Sequence, residues 1–191
     1  MQNLGLEYLD LYLIHQPYND VYGAWRAMSR LYEAGAIRAL GVSNFYPDRL
    51  VDFCLYNELS PQLNQVECHP LHAQFEAQEV MKKYNVAMQS WASFGEGRSG
   101  MFENPLLLEI GKAHNKSVAQ VILRWLYQRG IITIPKTTSK ARMAENLAIF
   151  DFALSEDSMR AIAGLDSKQT LFTNHRDVER IEWLKGYKVE G

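Results

Sequence analysis

Residues 86–100 read VAMQSWASFGEGRSG. The opening half, Val86–Trp91, is apolar enough for a buried strand, and the closing six residues, GEGRSG, are a G-x-G-x-x-G. In a doubly wound dinucleotide fold that spacing wraps backbone around a pyrophosphate. It then needs a preceding strand, an immediately following helix, and an acid about 20 residues on for the ribose. The strand is present. The helix is not immediate, because Met101–Pro105 intervenes and Pro105 belongs near a helix start. Residues His114–Val121 contain no Asp or Glu. Two conditions fail, so the doubly wound reading is set aside. A flexible loop after a strand is one alternative, and a strand-to-helix loop over a ligand at a barrel mouth is the other.

Outward from this stretch the chain alternates short apolar runs with amphipathic ones. Strands are expected at Tyr8–Ile14, Ile37–Val42, Gln62–Glu67, Val86–Trp91 and Ile131–Ile134. Helices are expected at Asp20–Ala34, stopped by Gly35, at Pro47–Asn57 and at Ala73–Tyr84. A further helix, Ser117–Arg129, opens with a capping box through Ser117 and Gln120, and Gly130 stops it. Lys140–Ile149 and Glu156–Ala163 follow, the second with Ser155 as N-cap. The tail Asp166–Gly191 is polar and irregular, with a short helix at Val178–Lys185. Strand–helix alternation without hairpin signals argues for parallel strands in an α/β fold, and no low-complexity linker divides residues 1–191, so one domain is expected.

Bulk properties exclude several classes. The formal charge of −2 supplies no field for nucleic acid or an anionic membrane. No apolar run is long enough to cross a bilayer, and MQNLGLEYLD has acids where a signal peptide needs an apolar core. Two cysteines, Cys54 and Cys68, are too few for a disulfide framework and fit a reducing, cytoplasmic compartment. Cys68, His69 and His72 cluster, but zinc sites usually need three or four ligands and nothing else stands at zinc-motif spacing, so no metal is expected.

In parallel α/β folds ligands sit at the carboxyl ends of the strands. The residues there are His15-Gln16-Pro17, Ser43-Asn44-Phe45, Glu67-Cys68-His69-Pro70, Trp91-Ala92-Ser93-Phe94-Gly95 and Pro135-Lys136-Thr137-Thr138. With LDLYLIHQP at 9–17, IRALGVSNF at 37–45, NQVECHP at 64–70, IPKT at 134–137 and AENLAIFDFALS at 144–155, the chain resembles the aldo-keto reductases, NADPH-dependent (β/α)8 barrels. Ser90-Trp91 makes it most similar to the small bacterial, diketogluconate-reductase-like members. The resemblance implies a partial TIM barrel that begins at the fourth βα unit, the first three being absent.

The resemblance also implies roles. His15 ends a strand in which Leu11, Leu13 and His15 share one face; on its own it reads first as a buried histidine tied to backbone, whereas the family places it against a substrate carbonyl. Ser43, Asn44 and Gln65 match positions that hydrogen-bond the nicotinamide carboxamide; Asn44 also reads as a cap for the helix at Pro47. Trp91 matches the aromatic that stacks on the nicotinamide, or is a core tryptophan. Lys136, Thr137 and Arg142 match the pocket for the adenosine 2′-phosphate, and Glu145 and Asn146 match adenine contacts; the alternative is a solvated helix start. Phe94 and Gly95 match a strap over the pyrophosphate. The family's Trp-Gly-Pro-Leu-Gly is Trp-Ala-Ser-Phe-Gly here, which predicts a looser strap.

The family's aspartate, tyrosine and lysine match no residue of the chain. Tyr18 and Tyr22 lie near His15 in sequence without a patterned lysine partner. The expected activity is therefore carbonyl reduction with NADPH, impaired by the loss of an acid worth about 10²–10⁴-fold. The alternatives are a non-catalytic NADP(H)-binding module or an inactive fragment. Two long unpaired edges, on the first and last strands, predict self-association.

Overall fold

A computed structural model describes residues 4–186; the end of the expected tail, 187–191, lies outside them. Five strands form one sheet: β1 Tyr12–Ile14, β2 Leu40–Ser43, β3 Leu63–Glu67, β4 Ala87–Trp91 and β5 Ile132–Thr133. All are parallel, and their order in the sheet is their order in the chain. Right-handed crossovers that always step the same way place every intervening helix on one face. A doubly wound sheet reverses its strand order midway. This one does not, which removes the Rossmann reading of GEGRSG on topology as well as spacing.

The helices are α1 Val21–Glu33, α2 Pro47–Tyr56, α3 Phe75–Lys83, α4 Pro105–His114, α5 Val118–Gln128, α6 Lys140–Leu147, α7 Glu156–Ala163 and α8 Val178–Gly186. Their starts follow local chemistry. Asp20 accepts the Gly23 N–H at 2.8 Å to cap α1. Ser117 and Gln120 form the expected reciprocal box on α5. Each such cap contributes about 1 kcal/mol. α4 was expected only as a helix start near Pro105, without a range; Asn104 caps it through the Leu106 and Leu107 amides and Pro105 stands at its first turn.

The two faces of the sheet differ. Leu40, Val42, Val66 and Met88 point into the core against Trp25, Leu50, Phe53, Met81, Trp125 and Leu126. Val21, Trp25 and Met28 form the buried stripe of α1 at helical spacing. Trp25 and Phe45 both meet Phe53 edge-on at 5.1 Å, and the Trp25 indole N–H donates to the Leu59 carbonyl. Removing a side chain such as Trp25 costs about 3–5 kcal/mol. The opposite face is polar at its centre, where register aligns Ser43, Gln65 and Gln89 at one level.

The outer strands are shorter than expected. Tyr8–Ile14 contracts to three residues of β1, with a separate bridge from Leu9 to Ile37. Ile131–Ile134 contracts to two residues of β5. Among the described residues each has a neighbour on one side only, and Pro135 has no N–H to extend the ladder. The expected long edges are therefore short ones, which weakens edge pairing as a reason for association.

Candidate functional site

The carboxyl end of every strand opens on the same rim, and two groups of residues assemble there. The first joins β1, β2 and β4. Asn44, in the left-handed region at φ +62°, accepts the Trp91 indole N–H on its side-chain oxygen at 2.8 Å and donates its amide to the His15 carbonyl at 3.3 Å. Its backbone N–H donates to the Gln65 carbonyl. Asn44 is therefore a brace, and Tyr46 takes the N-cap position of α2 that the sequence offered to it. His15 is exposed one residue beyond β1, so the buried-histidine alternative fails. Trp91 is half-buried at the end of β4, with Phe172 edge-on at 5.1 Å.

Ser43 and Gln65 are present but engaged. The Ser43 hydroxyl donates to the Gln65 carbonyl at 2.8 Å and is 1% exposed, and the Gln65 amide donates to Gln89 at 2.6 Å. Tyr18 and Tyr22 are engaged too. Tyr18 donates to the His175 carbonyl, and Tyr22 donates to the Asp52 carboxylate. Burial pushes both phenols above their ordinary value, and for Tyr22 the hydrogen bond to Asp52 adds to it.

The second group lines a cleft of about 560 Å³ between the loop after β4 and the start of α6. Phe94, Lys136, Thr137, Arg142, Glu145 and Asn146 all line it, with Phe102 and the first turn of α5 opposite. Six of the residues named from sequence, drawn from two distant segments, thus meet in one place. Among the described residues neither Lys136 nor Arg142 has a carboxylate partner in an ion pair. Ser139 caps α6 through the Arg142 amide, and Thr137 accepts the Ser139 N–H, so both small side chains shape the helix start. Two unneutralised cations beside a helix start and a hydroxyl are the donor set of an anion such as a phosphate.

Gly95 does not line that cleft. It is buried at φ +58°, and a Cβ there would stand 3.1 Å from a Leu171 methyl and 3.2 Å from the Met101 methyl. The strap is also tied where looseness was expected: Ser93, in the family's proline position, shares a 2.7 Å hydrogen bond with Ser90.

Sequence reasoning named Glu67 only among the strand-end residues and as part of NQVECHP, without a role. In the structure its carboxylate accepts from the Leu171 N–H at 2.8 Å and from the Thr170 hydroxyl, and lies 3.0 Å from His69 Nε2. Burial alone would raise its pKa, but these donors outweigh it and hold the carboxyl below the usual carboxylate range. No pattern in the tail announced this docking. Cys68 is buried and donates to the Ala73 carbonyl, and its thiol is pushed up to about 12 by burial. His72 contacts Gln74, and among the described residues no three His, Cys, Asp or Glu side chains are grouped so as to hold a metal ion.

The one-way parallel sheet carries at its strand ends a cleft of about 560 Å³ with two cations, Lys136 and Arg142, in its lining. The Aldo/keto reductase family model matches residues 1–167, and the chain belongs to that family. It is 45% identical over 170 residues to a 9,11-endoperoxide prostaglandin H2 reductase of Trypanosoma cruzi, covering 88% of this chain and 60% of that protein. It is 43% identical over 175 residues to a glyoxal reductase of Bacillus subtilis, covering 91% and 63%. A Bombyx mori aldo-keto reductase solved in complex with NADP superposes with a TM-score of 0.85 at 30% identity, covering 95% of this chain and 64% of that one. The chain thus spans about three fifths of the curated relatives it matches.

Proposed function

We propose that this chain binds NADPH along its rim and is an oxidoreductase that reduces aldehyde or ketone carbonyls to alcohols. The observation that carries the reading is the cleft, where Lys136 and Arg142 lie without carboxylate partners among the described residues, beside Thr137, Glu145, Asn146 and Phe94. Lys136, Thr137 and Arg142 would hold the 2′-phosphate, Glu145 and Asn146 the adenine, and Phe94 the pyrophosphate segment, with the buried Gly95 shaping the loop that carries Phe94. Trp91, Asn44, Gln65 and Ser43 would frame the nicotinamide end, with Ser43 acting through the brace it forms.

The cofactor, when bound, supplies the hydride that adds to the carbonyl carbon, and the carbonyl oxygen takes up a proton. His15, exposed at the same rim, would donate a hydrogen bond to that oxygen and stabilise the charge that develops on it. Asn44 fixes the backbone carrying His15 and the indole of Trp91 in one frame. Residues 1–191 hold no match for the family's aspartate, tyrosine and lysine, so turnover by these residues alone would be impaired. A second reading, an NADP(H)-binding module without turnover, is favoured by the engagement of the Tyr18 and Tyr22 hydroxyls with the His175 carbonyl and the Asp52 carboxylate.

In this reading the sheet is part of a (β/α)8 barrel acting as one cytoplasmic domain, and its exposed flanking residues Tyr12, Ile132 and Ile134 favour self-association, which sedimentation at rising concentration would register. The deciding experiment is a titration of the full chain with NADPH followed by tryptophan fluorescence, then addition of a reactive aldehyde followed by NADPH absorbance. Binding with turnover supports reduction, binding alone supports the second reading, and silence in both from folded protein ends the proposal.

A further inference from the structure

Glu67 closes β3, and its register partner on β4 is Trp91. Its carboxyl group is 5% exposed, and His69 beside it is fully buried. A carboxylate so far from water is stable only where donors replace its hydration. Two of its three partners, the Thr170 hydroxyl and the Leu171 N–H, are adjacent tail residues. The next residue, Phe172, packs edge-on against Trp91 and carries the Arg98 guanidinium 4.9 Å over its ring. Leu171 closes over Gly95. The other tail attachments are of a different kind. Ser167 and Asp166 reach the backbone of Leu71 and Ala73, His175 uses its backbone toward Tyr18 and Tyr46, and Arg176 pairs with exposed Asp48. Among the described residues only Glu67 holds the tail by a buried charge.

We propose that Glu67 is a positioning residue whose carboxylate holds Thr170–Phe172 across the rim, so that Phe172 fixes the Trp91 indole and walls the space beside it. As a wall for a carbonyl substrate this rests on the function proposed above; as a tail anchor it stands on geometry alone.

The test uses the full chain labelled with 5-fluorotryptophan, whose four tryptophans give separate ¹⁹F signals, the Trp91 line being assigned with Trp91→Phe. Glu67→Gln removes the charge and turns one of the two carboxylate oxygens, which serve the Leu171 N–H and the Thr170 hydroxyl, into an amide donor. The expected result is a shifted, broadened Trp91 line with the Trp25 and Trp125 lines unmoved. Tryptic cleavage after Lys168 and Arg176 should speed up by about tenfold or more, the change in local opening expected from losing a hydrogen bond to a charged group. An unmoved Trp91 line with unchanged cleavage overturns the proposal. Should Glu67→Gln disturb the Trp25 and Trp125 lines, Leu171→Pro decides, because it deletes the tail donor and leaves β3 intact; the same two readouts support or overturn. Neither readout needs a cofactor. Failure of the unmodified chain to bind NADPH would therefore sink the proposed function and leave the tail anchor standing, and the reverse pairing of results would sink the anchor alone.

Discussion

The side-chain oxygen of Asn44 receives the indole N–H of Trp91 at 2.8 Å, joining the ends of β2 and β4 across 47 residues. The same side chain holds the His15 carbonyl, so three strand ends are tied by one amide. Asn44→Gly keeps the left-handed backbone and deletes both bonds; the expected loss is about 1–2 kcal/mol. Asn44→Ala deletes the bonds and adds left-handed strain, for a further loss of about 1 kcal/mol. Urea unfolding of the two variants checks the order, and an alanine variant as stable as the glycine one would refute the strain component.

The basic cleft makes a selective prediction. Lys136→Ala with Arg142→Ala removes the charges that a 2′-phosphate would meet, and NADPH affinity should fall by roughly 10²-fold, as two lost charge-assisted contacts imply. NADH has no phosphate at that position and should change little. Fluorescence titration with both nucleotides separates the cases, and equal losses would count against the phosphate assignment.

Gly95 and Gly97 both have positive φ but differ in surroundings. A Cβ at Gly95 presses on Leu171 and Met101, whereas one at Gly97 meets nothing within 4 Å. Gly97→Ala should cost about 1 kcal/mol from backbone strain alone. Gly95→Ala should cost more and also displace the tail, visible as faster proteolysis after Lys168. Identical behaviour of the two variants would show that the tail does not rest on Gly95.

Burial pushes the His72 and His175 imidazoles below their ordinary value of 6.5. The unfolded chain then takes up protons at higher pH than the folded one, so the stability they contribute is complete above pH 6.5 and is lost as pH falls through their depressed folded values. Asp48, where burial is outweighed by the hydrogen bond and charge of Arg176, and Glu67, where it is outweighed by its donors, are held below 3.8 and 4.5. Their contribution is lost at still lower pH. Thermal melts should show a flat Tm above pH 6.5 and two successive declines on acidification. A Tm that rises between pH 7 and 6 would contradict the burial of the two imidazoles.

Alternation of apolar strands with amphipathic helices was legible because each element announces itself locally. The Ser117–Gln120 box, the Ser155 cap and the stop at Gly35 all appear where their residues stand. The ends of β1 and β5 were not legible, since strand length at an edge depends on a neighbour that sequence periodicity does not reveal. α4 had its cap and proline in plain view, but its apolar run Leu106–Leu108 lacks the polar interruptions that mark an amphipathic helix. In the site, family motifs brought six residues to one cleft. They gave no warning that Ser43 spends its hydroxyl on the Gln65 carbonyl, or that Glu67 finds its donors in an irregular tail.

The Thr170 donor lies 103 residues beyond Glu67. During synthesis the cleft lined by Phe94, Lys136 and Arg142 is therefore complete in sequence before the segment that caps β3 has been made. A nascent chain can fold that cleft first, and it leaves the Glu67 carboxylate hydrated until Thr170 and Leu171 emerge and cover it.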